Sequence, residues 1–204
     1  KYHSRLRKQG IRWKRELDWI RLPHHLAVCD FRFLAKQAAE KAGLLWGRWL
    51  PESDFWVQKD YVTYSIMVRK NGTEEEVKKH EAFHPDGYYD FYRPIATLPG
   101  KKEAFAFLPE IDRGTETIKR VVEEKVLRGQ VYLKSEAYRK RSGTRWGRQI
   151  IVTTGEERAL NIKRAAESVT RKPSCYFSWV EALTVDNLYT EPVWYLLGKP
   201  EPVS

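Results

Sequence analysis

Apolar residues recur along this chain with two periods, and the switches between those periods divide it into elements. Leu26, Cys29, Phe33, Ala38 and Ala42 fall near helical spacing after Pro23, and Gly43 stands where a helix stops, so the spacing predicts a helix from about His24 to Ala42. Leu44 to Leu50 and Tyr61 to Val68 then read as strands, separated by a polar loop around Pro51 to Asp54. Asn71-Gly72 signals a turn, and the charged run Glu74 to Lys79 reads as a solvated turn or short helix.

Beyond it, Tyr88 to Tyr92 is an aromatic strand, and Thr97 to Lys102 reverses the chain. Ala104-Phe105-Ala106-Phe107-Leu108 is apolar on both alternating faces, as expected of a central strand covered on each side. The two are expected to pair as a hairpin. Thr115 to about Arg141 predicts one long helix with Ile118, Val121, Val122 and Tyr132 on its apolar side. Gln149 to Thr153 is a short buried strand, followed by an amphipathic helix through about Val169. Ser174 to Trp179 and Val193 to Leu196 are further strands. This order predicts an α/β fold with a mixed central sheet flanked by helices.

The 204 residues suffice for one proper core, and a hydrophobic fraction of 42% with eight tryptophans excludes a disordered tail. No long apolar run exists, so a membrane span is excluded, and the expected location is the cytoplasm. Cys29 and Cys175 are far apart with no Cys-x-x-Cys or His cluster, which argues against zinc and for buried free thiols. Lys and Arg total 37 against 27 acids, a net charge of +10 that points to a polyanion, DNA first; an inert basic surface is the other reading.

The basic residues are clustered. Arg5, Arg7, Lys8, Arg12, Lys14, Arg15 and Arg21 lie among Trp13, Trp19 and Ile20, so residues 1–22 read as a basic N-terminal segment, a phosphate contact or a linker, and 23–204 as the α/β domain. Because the sequence starts with Lys1, an upstream domain is expected to precede it. Arg139, Lys140, Arg141, Arg145 and Arg148 form a second cluster, read as a phosphate contact surface or as a solvated helix end.

The stretch from His84 to Glu116 carries the candidate chemistry. Asp86 begins one strand and Glu110 ends its neighbour, an arrangement that brings two carboxylates to one point, as a metal-dependent phosphodiester site requires. Period-two alternation puts Glu110 and Asp112 on the face of Ala106 and Leu108, and like charges so close favour a cation between them. The plainer alternatives are a Pro-Asp-Gly turn and a helix start at Asp112 to Thr115. Lys125 falls on the apolar side of the long helix, where its amine either snorkels to water or reaches back toward the acids.

Pro85-Asp86 followed by Glu110 resembles the core of the PD-(D/E)xK nuclease superfamily, the restriction-endonuclease-like fold; the strand lysine of that pattern is here Asp112. With the flanks included, His25-Leu26-Ala27-Val28-x-Asp30, Pro85-Asp86-Gly87, Glu110-Ile111-Asp112-Arg113-Gly114-Thr115-Glu116, Lys125, Val152-Thr153 and Glu157-Arg158 resemble the replication-relaxation family of plasmid and mobile-element proteins over roughly residues 20 to 165. That resemblance implies DNA handling in replication or transfer, with proteins of a mobile element as partners and a winged helix upstream. Two functions follow as expectations. One is a Mg²⁺- or Mn²⁺-dependent deoxyribonuclease in which Asp86 and Glu110 hold the metal, Asp112 is a further ligand and Lys125 replaces the strand lysine. The other is a catalytically silent DNA-binding or partner-docking module that keeps the nuclease-like fold.

Overall fold

A computed structural model describes residues 19–70, 72–98, 100–170 and 173–204. The basic segment expected over 1–22 lies outside the described residues up to position 18.

Helix α1, Leu22–Lys41, has Pro23 in its first turn, where a missing N–H costs nothing. Phe31, Ala35, Ala38 and Ala39 are its buried stripe, and the three alanines let it lie close on the sheet. The chain continues through β1, Leu45–Pro51, into a short helix α2, Glu52–Val57. The polar loop expected around Pro51 to Asp54 is thus the start of a helix. Phe55, fully buried among Tyr132 and Phe83, anchors it, burial worth about 1.5–3 kcal/mol for one such ring.

Strands β2, Asp60–Lys70, and β3, Thr73–Phe83, form a separate antiparallel ribbon turning at Gly72, whose φ of 85° suits glycine. The expected turn or short helix over Glu74 to Lys79 is therefore corrected to a strand. Glu74-Glu75-Glu76 and Lys78-Lys79 sit on the part of the ribbon that is exposed toward its tip, so no apolar period marks it.

The central sheet has seven strands in the order β1-β4-β5-β6-β7-β8-β9 and mixes both pairings. β4, Gly87–Pro94, and β5, Lys102–Ile111, are antiparallel neighbours; β6, Arg148–Thr153, and β7, Cys175–Trp179, add in parallel. β8, Trp194–Leu196, and β9, Pro202–Val203, close the far edge in antiparallel. Parallel neighbours need crossovers. The first is α3, a rod over 118–132 built from Ile118–Arg120, a π-helical stretch Val121–Leu127 and Arg128–Tyr132, followed by α4, Glu136–Ser142. The second is α5, Glu156–Val169.

The single helix expected from Thr115 to Arg141 is broken in two. Ser135 has an extended backbone and its hydroxyl accepts from the Tyr138 N–H, so it caps a new helix rather than continuing the old one. One sheet face carries Tyr89, Phe91, Ile111, Ile150 and Val152 under α1; the other carries Ala106, Leu108, Ile151 and Phe177 under α3 and α5. Cys175 is a buried free thiol on that second face, whereas Cys29 lies exposed on α1, contrary to expectation. Among the described residues, no helix is long and apolar enough to cross a membrane.

Candidate functional site

The antiparallel register of β4 and β5 pairs Tyr89 with Phe107. Carried three residues further, it sets Asp86 across from Glu110. Asp86 is held there by an extra bond: its Oδ2 accepts from the Ile111 N–H at 2.7 Å. The two carboxylates therefore converge at the carboxyl end of β5, with 5% and 3% of their surfaces exposed.

Each acid has a basic partner delivered by a different helix. His24, in the first turn of α1, puts Nε2 3.0 Å from Asp86 Oδ1. Lys125, in the π-helical stretch of α3, donates from Nζ to Glu110 Oε2 at 3.0 Å. Of the two readings of Lys125, the amine reaches the acids. His24 has no counterpart in the sequence reading; Pro23 marks the helix start that carries it, but nothing in the sequence aims it at Asp86.

These contacts decide the protonation balance. Burial alone would raise the Asp86 carboxyl, but His24, Lys125 and the Ile111 N–H outweigh it and hold Asp86 below the usual carboxylate range. The hydrogen bond to Asp86 raises His24 in turn, against its own burial. Glu110 behaves oppositely: burial and the neighbouring Asp86 charge push it up to about 8 despite Lys125. The Glu110 carboxylate raises Lys125, so its ammonium stays charged. Glu110 Oε1 is left buried with no hydrogen-bond partner, an uncompensated polar atom beside an ionised aspartate.

Asp112 also borders this cavity and, like Asp86, has both oxygens hydrogen-bonded, but its main partner is a permanently charged arginine that grips it at two points. Arg158 of α5 grips it with Nε at 2.5 Å from Oδ2 and Nη2 at 3.0 Å from Oδ1, and the Thr153 hydroxyl donates to Oδ2 at 2.6 Å. Burial opposes ionisation, but Arg158 and Thr153 prevail and hold Asp112 low. Asp112 thus ties β5 to β6 and α5, while Asp86 and Glu110 remain the pair at the floor of the cavity.

That cavity, about 570 Å³, opens between the start of α1, α2 and α3. Arg113, Arg120 and Arg128 line it along with Glu116 and Glu124, so its walls carry both signs. On the α2 side, Trp56 lies parallel over His84, 3.8 Å between ring centroids. Burial lowers the His84 pKa.

The second basic cluster is elsewhere. Arg148 begins β6 opposite Phe107, and Arg145 precedes it, so the cluster lies toward the end of the sheet opposite the two acids. Its members also differ in what they do. Arg141 donates to Asp60 Oδ2 at 2.5 Å and to the Gln58 carbonyl, and covers the Phe55 ring at 4.6 Å. Arg148 donates to the Tyr176 hydroxyl at 3.2 Å. Arg139, Lys140 and Arg145 are exposed, Arg139 within 3.6 Å of Glu136 on the same helix turn, and the exposed Trp146 follows Arg145.

A divalent ion is the group the acids imply. Among the described residues there is no cluster of three or more His, Cys, Asp or Glu side chains that could hold a metal ion. The two carboxylates nevertheless suit a hard cation bound through one or two carboxylates, with water and substrate phosphate completing its shell. Glu110 Oε1 is the free oxygen such an ion would take, and Asp86 would join it by sharing an oxygen already bonded to His24 or to the Ile111 N–H. Comparison with protein-family models, with curated proteins and with solved structures returned no match.

Proposed function

We propose that this protein is a divalent-metal-dependent nuclease acting on the phosphodiester backbone of DNA, with Asp86 and Glu110 as the residues that hold Mg²⁺ or Mn²⁺. One observation carries the reading: two buried carboxylates face each other across neighbouring strands, and one oxygen, Glu110 Oε1, is buried without a partner. Lys125 satisfies only the other oxygen, so Oε1 is left for a cation or a water to complete. When bound, the metal supplies a water of lowered pKa and a Lewis acid for the phosphoryl oxygens.

The chain's own residues have separate roles in this scheme. Asp86 is oriented by His24 and by the Ile111 N–H. Lys125 keeps a positive charge beside the acids, where a phosphate would develop negative charge, and stands in for the lysine that the strand lacks at Asp112. Asp112 holds the end of β5 in place through Arg158 and is left out of the ligand set. Arg139, Lys140 and Arg145 offer a separate electrostatic contact for the strand. The element order supports a restriction-endonuclease-like core: helix α1, an antiparallel β1-β4-β5 face, the crossover α3 and the parallel strand β6. The likeness of the sequence motifs to replication-relaxation proteins is what supports assigning the activity to plasmid or mobile-element replication or transfer.

A second reading has its own observation. Lys125 already pairs with Glu110, and no third ligand gathers among the described residues, as expected of a silent DNA-binding module. One experiment separates them: supercoiled plasmid and labelled single strands incubated with Mg²⁺ or Mn²⁺ and wild type, Asp86→Asn or Glu110→Gln. The nuclease cleaves only as wild type, with both variants still binding DNA. Binding without cleavage by wild type on every substrate leaves the silent module.

A further inference from the structure

The wall of the cavity facing α2 carries a feature that the acids do not explain. Trp56 is fixed on two sides. Its Nε1 donates to Glu52 Oε1 at 2.9 Å, and one indole face lies on His84, 3.8 Å between centroids at an interplanar angle of 9°. Even so, 46% of the residue is exposed. With its polar edge satisfied and one face covered, the remaining exposure is aromatic surface at the margin of the cavity that holds Asp86 and Glu110. Trp19 and Trp146 are also exposed, but neither borders that cavity.

An immobilised, half-open indole suits a planar ligand, since the ordering of the ring is already done in the free protein. The imidazole under it has a buried Nε2 with no hydrogen-bond partner, so the stack is incompletely satisfied. Its position limits what can lie there. His84 is two residues before Asp86, and Trp56, His84 and both acids line one cavity, so a nucleotide whose phosphate met a metal held by the acids would have its base beside the stack.

We propose that Trp56, backed by His84, is a stacking subsite for an unpaired nucleobase next to the phosphodiester that a metal held by Asp86 and Glu110 would engage. The proposal deepens the nuclease reading by naming its substrate: single-stranded or frayed DNA. Bases inside a duplex have both faces covered by their neighbours, so a stacking platform of this kind engages only a base that has left the stack. Glu52 takes part as a positioning residue, holding the indole edge through its carboxylate.

The test uses oligodeoxythymidine carrying one 2-aminopurine, titrated with the full chain in EDTA so that nothing is cleaved. Stacking on Trp56 quenches the probe. Trp56→Leu loses the quench and binds the single strand roughly ten- to hundredfold more weakly, while Trp56→Phe, a smaller aromatic platform, falls between. Blunt duplex is bound more weakly than single strand by wild type and equally by all three proteins. Wild type that binds duplex as tightly as single strand overturns the subsite, as does Trp56→Phe or Trp56→Leu binding the single strand like wild type. Asp86→Asn separates this from the parent reading: it keeps the quench in EDTA and abolishes cleavage in Mn²⁺. An Asp86→Asn protein that still cleaves sinks the metal site and leaves the stacking result standing.

Discussion

Gln149 Nε2 donates to the backbone carbonyl of Lys125 at 2.9 Å, so a side chain of β6 reaches into the backbone of α3 at the residue that pairs with Glu110. Gln149 is wholly buried, and it lies under Gly129, where a Cβ would come within 2.2 Å of the amide nitrogen. The helix is π-wound over Val121–Leu127 beside this contact, and such widened turns re-aim side chains without breaking the rod. We read the Gln149 bond and the side-chain-free surface at Gly129 as what fixes the direction of Lys125.

A first prediction follows for both positions. Gly129→Ala forces Gln149 away from Lys125 and overpacks the contact, lowering stability by about 1–3 kcal/mol in denaturant titration. Gln149→Leu keeps the volume and removes the donor. It is expected to fold with a smaller loss, yet to lower kcat for Mn²⁺-dependent cleavage by about tenfold with KM unchanged. Equal effects on kcat and KM would make Gln149 a packing residue only.

Asp112 gives a second prediction, because its role here is mechanical. Asp112→Ala leaves Arg158 with only the Glu116 carbonyl in a part-buried setting and removes the side-chain tie from the end of β5 to Thr153 of β6 and to α5. Its cost is expected near ~1–3 kcal/mol by thermal or denaturant unfolding, the range for losing hydrogen bonds to a charged group. Calorimetric Mn²⁺ affinity measured below the melting transition should match wild type. A loss of metal affinity with stability intact would return Asp112 to the ligand set.

The basic cluster separates by the same logic. Arg141, with 10% of its side chain exposed, holds Asp60 and covers Phe55, so Arg141→Ala is expected to destabilise the fold. Arg139, Lys140 and Arg145 are exposed, and replacing the three with Ala should leave the melting temperature unchanged. Filter binding across a salt series should instead show weaker DNA binding and a shallower salt slope, by about one unit for each phosphate contact removed. An unchanged slope would confine these residues to solvation.

What the sequence made legible and what it hid divide along physical lines. Strands β4 and β5 were readable because both of their faces are buried, and a strand covered on two sides shows a continuous apolar run. Asp86 and Glu110 followed from that register. β3 was unreadable because the ribbon it shares with β2 stands apart from the central sheet, and Glu74 to Lys79 bury nothing that would mark a period. The break at Ser135 was signalled locally by a Ser before Glu136, but the apolar stripe running past it outweighed the cap. His24, Gln149 and Trp56 were hidden for another reason: each meets the site through packing between elements distant in sequence, which no local pattern encodes.

Lys125 offers the sharpest test of whether the acids form a metal site or only a structural ion pair. Lys125→Met keeps a long apolar stem in place and removes the ammonium, leaving Glu110 buried beside Asp86 with neither oxygen paired. Glu110, already raised to about 8, then protonates rather than standing as an unpaired charge, and the lost hydrogen bond and packing are expected to cost about 1–3 kcal/mol in metal-free buffer. If the acids bind a divalent ion, the variant holds Mn²⁺ more tightly than wild type, because a neighbouring positive charge is gone, and its melting temperature rises more on Mn²⁺ addition. Cleavage should nevertheless slow by about 10²-fold, the order lost with one electrostatic stabiliser of a transition state. Tighter metal with slower turnover is a combination that a structural pair cannot produce. Equal melting temperatures for Lys125→Met with and without Mn²⁺, at concentrations that saturate ordinary carboxylate sites, would reduce Glu110 and Lys125 to a buried salt bridge.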